Sequence, residues 1–78
     1  MKPLKLKIGK NPELSIAIQK TLFALGYEWQ YLGQKVYETQ MPYLVADENG
    51  HFWTYNYGDE PDFEMEPYPL IDLFNKEG

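Results

Sequence analysis

Apolar and polar residues alternate over LKLKI at residues 4–8, with Leu4, Leu6 and Ile8 on one side and Lys5 and Lys7 on the other. A period of two predicts a half-buried strand whose lysines suit an exposed face or a protected edge. The period then changes. In NPELSIAIQKTLFALG, Leu14, Ala17, Ile18, Thr21, Leu22 and Leu25 recur at helical spacing and form one apolar stripe. Asn11 is a good N-cap, Pro12 fills the first helical position and Glu13 stands in the first turn. Gly26 follows the stripe, where a left-handed C-cap favours a residue without a Cβ. Ile16 and Phe23 widen the stripe, so cover on more than one side of the helix is expected.

Alternation returns in YEWQYL, which sets Tyr27, Trp29 and Tyr31 against Glu28, Gln30 and Leu32 and predicts a second strand with an aromatic face. Gly33 and Gln34 read as a turn, and KVYET as a short third strand, with Pro42 marking a bulge or an edge position. PYLVADENGHFWTYNY carries a hairpin signal, with Asn49-Gly50 between two β-prone runs. A two-residue turn pairs Ala46 with Trp53 and Leu44 with Tyr55, whereas a four-residue loop over residues 47–50 pairs Leu44 with Trp53. Either register puts Leu44, Ala46, Trp53, Tyr55 and Tyr57 on the helix side and Tyr43, Val45, Phe52 and Thr54 opposite. Only a three-residue loop exchanges the faces. After Tyr57, GDEPDFEMEPYP is rich in turn formers, with FEME a candidate edge strand. LIDLF is apolar enough to dock as about one helical turn, and the last four residues are expected to fray. The predicted order is β-α-β-β-β-β, a single α+β domain over residues 1–78 with one helix packed across a mostly antiparallel sheet.

Composition narrows the chemistry. Seventy-eight residues with no cysteine and one histidine leave no disulfide, no thiolate nucleophile and no histidine-rich metal site. Stability must come from packing, to which thirteen aromatic residues contribute large buried areas. A core this small gains from self-association, so a homo-oligomer is expected. No apolar run approaches the roughly 20 residues of a membrane span, and MKPLKLKIGK is unlike the apolar centre of a signal peptide. The expected location is therefore the cytoplasm, with no membrane partner.

The net charge of −5 is unevenly distributed. Four of seven lysines (Lys2, Lys5, Lys7 and Lys10) lie in the first ten residues, and there is no arginine. Asp47, Glu48, Asp59, Glu60, Asp62, Glu64, Glu66 and Asp72 then accumulate in a stretch without lysine. Polyanions are repelled by such a surface, so nucleic acid is a poor partner and a protein with a basic surface a better one. The acids of residues 59–66 show no EF-hand spacing, and an exposed, proline-punctuated loop gives little burial to separate two carboxyl pKa values. His51, beside the hairpin turn, reads as a surface polar residue. An enzyme would need carboxylates gathered from separate elements, for example Glu28 or Glu38 with Asp59 or Asp62. The sequence therefore points to a non-enzymatic protein with no cofactor and no metal. The candidate partner-binding residues are Tyr43 and Phe52, on the face away from the helix, with Asp59, Glu60, Asp62, Glu64 and Glu66 beside them. The four lysines with nearby tyrosines make a small nucleotide a second candidate ligand.

QKTLFALGYEWQ followed by PYLVADENGHFW resembles small uncharacterised accessory proteins of tailed bacteriophages. Those share a helix ending in a leucine-phenylalanine-x-leucine-glycine-tyrosine-x-tryptophan segment, an acidic Asn-Gly hairpin and a leucine-containing C-terminus. The corresponding residues here are Leu22, Phe23, Leu25, Gly26, Tyr27 and Trp29, then Asp47 to Gly50, then Leu70 and Leu73. The resemblance covers most of the chain and brings no functional residue with it. It implies a non-enzymatic binder acting in the host cytoplasm on a host protein, including defence components, which it inhibits or redirects. The alternatives are an oligomeric sponge for a nucleotide immune signal and, at a modest twelve acids in 78 residues, an acidic DNA mimic.

Overall fold

The computed structural model describes residues 1–59 and 66–77. The observed order is β1 (Leu4–Lys7), α1 (Pro12–Ala24), β2 (Glu28–Trp29), β3 (Tyr43–Ala46), β4 (His51–Tyr55) and α2 (Leu70–Glu77). The four strands form one sheet in the order β1-β3-β4-β2, antiparallel except for the short parallel pair of β2 with β4. Both helices contribute to the core on one face of the sheet. The α+β class and the mostly antiparallel sheet under one main helix are those expected. The strand count beyond β2 and the C-terminal element are not.

Helix α1 begins and ends as its sequence dictates. The Asn11 side chain accepts from the Leu14 N–H at 3.1 Å, relieving one of the orphan donors of the first turn. At the other end Gly26 takes φ +96°, with Gly26 N–H donating to Phe23 C=O and Tyr27 N–H to Leu22 C=O. These two bonds make a Schellman cap, which turns the chain directly into β2. The buried face of α1 is rotated from the expected stripe. Ser15, Ile18, Gln19, Thr21 and Leu22 are buried, while Ala17 is exposed and Leu14 and Leu25 are only half-buried.

A buried residue of that rotated face bears on the missing third strand. The Gln19 side chain reaches residue 37, where its Nε2 donates to Tyr37 C=O at 2.6 Å and its Oε1 accepts from Tyr37 N–H at 3.1 Å. The two backbone groups of Tyr37, at the centre of KVYET, are thus tied to the helix, and residues 35–39 form no strand. Glu38, with φ +54°, is turned out of extended geometry altogether. The second strand also stops early. Trp29 N–H donates to Gly33 C=O at 2.9 Å, folding the chain back after two strand residues and leaving Tyr31 88% exposed instead of on the sheet.

The hairpin takes the three-residue loop. Tyr43 pairs with Tyr55, Leu44 with Thr54, Val45 with Trp53 and Ala46 with Phe52. Asp47 N–H donates to His51 C=O and Gly50 N–H to Asp47 C=O, with Gly50 at φ +82°. This is a type I turn closed by a glycine bulge. The Asp47 carboxylate accepts from the Asn49 and His51 N–H groups at 2.9 and 3.0 Å, fixing the loop. The faces are therefore exchanged. Phe52, expected to face a partner, is 0% exposed in the core with Leu6, Leu44, Ile18 and Leu22. Trp53, Tyr55 and Tyr57, expected to face the helix, lie on the other side.

The C-terminal apolar stretch is longer than one turn. In α2, Leu73 is fully buried and Leu70 and Phe74 pack beside it, while Ile71 and Asp72 are exposed. The candidate strand FEME falls largely outside the described residues.

Candidate functional site

Period two in the strands and the exchanged register determine what the open face of the sheet carries. Across its middle lie Tyr43 and Val45 of β3 and Trp53 and Tyr55 of β4, with Lys5 and Lys7 of β1 along one edge. Glu28 of β2 lies at the opposite edge, opposite His51, with its carboxylate 3.4 Å from the imidazole. Both side chains of that pair are well exposed, so it contributes little to stability.

The rings on this face are arranged in contact. Trp53 and Tyr55 meet edge to face with centroids 6.3 Å apart, and the Trp53 Nε1–H donates to the Tyr55 hydroxyl. Tyr43 and Tyr57 meet the same way at 5.7 Å. Lys5 Nζ lies 6.0 Å from the Tyr43 ring centre and Lys10 Nζ 5.8 Å from that of Tyr57. Quadrupole and cation–π attractions of this kind hold neighbouring rings in place relative to one another. Val45 is nevertheless only 4% exposed, closed in by its neighbours. A shallow groove of about 350 Å³ runs beside Trp53 and Val45 to Asp47 and Asn49 of the hairpin loop.

The proposed contact residues divide. Tyr43 is on this face, and Asp59, exposed, follows the Tyr57 ring that touches it. Phe52 is not on this face, for the register reason given above. Glu66 is exposed at a different place, in a groove of about 470 Å³ along β1 that it shares with Lys2, Lys5, Tyr68 and Asp72. Glu60, Asp62 and Glu64 lie outside the described residues. Trp53 and Tyr55 are the residues sequence reasoning missed. A signal for them existed: aspartate at the first position of a type I turn and glycine at the fourth, as Asp47 and Gly50 stand, is the composition of the three-residue loop.

The second basic feature is the β1 groove, where Lys2 Nζ lies 4.9 Å from the centre of the Tyr68 ring and Tyr68 N–H donates to Lys5 C=O at 2.8 Å. Nearby, the Tyr27 hydroxyl donates to Lys2 C=O at 2.7 Å. Burial pushes the Tyr27 hydroxyl pKa above its ordinary value and the neighbouring Tyr68 adds to this, while the bond to Lys2 opposes them. Of the carboxylates considered for acid–base work, Glu28 pairs with the first residue of β4 and Asp59 lies beyond its last, so the strand separates them. Among the described residues no three histidine or acidic side chains gather as they would around a metal ion. No helix among them is long and apolar enough to cross a membrane. Compared with known proteins, the chain matches no family model, no curated protein and no solved structure.

Proposed function

We propose that this is a non-enzymatic accessory protein that binds a host protein through the open face of its sheet and inhibits or redirects it. One observation carries the reading: both helices contribute to one core, while on the other face of the sheet Tyr43, Trp53 and Tyr55 are only half-buried and Tyr57 is exposed. Tyrosine and tryptophan rings held by their neighbours make favourable centres of protein interfaces, because they bury large area at little cost in side-chain entropy. The acids at the margins of this face, Asp47 and Glu48 in the hairpin loop and Asp59 beyond β4, favour a target with a basic surface. The resemblance to phage accessory proteins supplies the host context. A nucleotide sponge would use the β1 groove, but Glu66 and Asp72 share that groove with the lysines and oppose a phosphate there.

The test compares tagged wild-type protein with a Trp53→Ala/Tyr55→Ala variant in capture from host lysate. Wild type is expected to retain one specific protein, in a salt-sensitive manner, and the variant to lose it while unfolding cooperatively. A folded variant that retains the same protein equally well overturns the reading.

A further inference from the structure

Hydrogen-bond alternation leaves one residue of β4 without a backbone neighbour among the described residues. The bond from Asp47 N–H to His51 C=O makes residues 47 and 51 a hydrogen-bonded pair, and pairs 45/53 and 43/55 share its phase. Phe52 and Thr54 therefore direct their backbone groups away from β3. Phe52 is met by β2, with Gln30 N–H donating to Phe52 C=O at 3.1 Å. Thr54 is met by nothing among the described residues, because β2 ends at Trp29 and the chain folds back to Gly33. Thr54 borders a groove of about 330 Å³, whose other walls include Gln30, Tyr31, Leu32 and Trp53. Tyr31 and Leu32 are 88% and 48% exposed.

We propose that this edge of β4 is a strand-addition site, which takes an extended, uncharged peptide segment of the partner protein. A donor and an acceptor on one residue match both backbone groups of a single residue in an antiparallel visitor. No side chain lining the groove is charged, so the visitor's central residues are uncharged, with an apolar side chain entering between Leu32 and the sheet. A second copy does not fit with its own β4 edge against this one. Its own β2 would occupy the space taken by residues 56–57 of the first, since a two-fold axis at Thr54 sets the start of one β4 against the end of the other. The inference deepens the partner-binding function proposed above and rests on it, because the added strand lies beside Trp53 and Tyr55.

The probe is a display library of random ten-residue peptides selected against the immobilised full chain, with enriched sequences then made synthetically. Enriched peptides are expected to alternate apolar and polar residues and to slow hydrogen exchange at the Thr54 amide. N-methylation at the one backbone position opposite Thr54 is expected to weaken binding by about tenfold or more. Thr54→Pro removes a donor that faces outward, which an edge strand tolerates, and should weaken binding similarly, while Thr54→Val should not. If Thr54→Pro loses cooperative unfolding, the N-methyl scan on wild type decides alone. Failure to enrich an alternating family, indifference to every N-methyl position, or a self-dimer that protects the Thr54 amide overturns the proposal. A host protein captured through Trp53 and Tyr55 but held equally by folded Thr54→Pro keeps the face and removes the strand.

Discussion

Gln19 is fully buried, yet every hydrogen-bonding group of its amide is used. Besides the two bonds to Tyr37, its Nε2 donates to Ser15 Oγ at 3.1 Å and its Oε1 accepts from Trp29 Nε1–H at 3.2 Å. One side chain thus joins the helix, β2 and the segment after it. Gln19→Leu would bury the Trp29 and Tyr37 groups unsatisfied and should cost at least about 2 kcal/mol of unfolding free energy in denaturant titration. Nothing local in IAIQKTLF announces this role, because the partner segment lies far along the chain; helical periodicity alone made Ala17 the better candidate for burial. Tyr27 supports a second expectation at this scale. Its raised pKa means the folded protein holds the phenolic proton more tightly than the unfolded chain, whose value lies near 10.0. This group's contribution is therefore complete below about pH 10 and is lost as pH rises through the folded value. Unfolding free energies followed from about pH 8 to 11 should fall more steeply for wild type than for Tyr27→Phe.

Among the elements, the β3–β4 hairpin determines which rings are buried and which are displayed. Its loop holds Gly50 at φ +82°, and a Cβ there would meet the Met1 side chain. Gly50→Ala should therefore cost about 1–3 kcal/mol, from left-handed strain and that collision, measurable as a lowered denaturation midpoint. The alternation of the strand was plain in the sequence, as were both ends of α1, since caps and period are local properties. The face was not, because one residue in loop length reverses it, and Asn49-Gly50 fits a two-residue turn as well as Asp47 and Gly50 fit a three-residue one. The same dependence on loop length placed Phe52 among the contact residues and left Trp53 out.

For the molecule as a whole, the sheet divides the aromatic load into a core half and a displayed half, and substitutions should divide with it. Phe52 contacts Trp29 at 4.7 Å and Phe23 at 5.8 Å between ring centres. Phe52→Ala should remove about 3–5 kcal/mol, a large share of what a domain of this size possesses. Trp53→Ala, at a half-buried position that packs against the margin of the core, should cost less than Phe52→Ala, and where the variant still unfolds cooperatively any loss of partner binding reports on the surface itself. Thermal melts of the two variants side by side check the division. Period two placed Lys5 and Tyr43 on alternating positions of their strands, but it put Tyr57 on the helix side and said nothing of Lys10, which follows β1. Their association on one face required the register.

The sheet order β1-β3-β4-β2 also has a kinetic consequence. The central hairpin closes a loop of only three residues and can nucleate within microseconds, whereas Leu4 must find Ala46 across the intervening helix and β2. The first strand in the sequence is thus expected to be among the last to join the sheet. Substitutions in β1 should chiefly accelerate unfolding, while those at Val45 or Gly50 should retard folding, a contrast that chevron measurements would display directly.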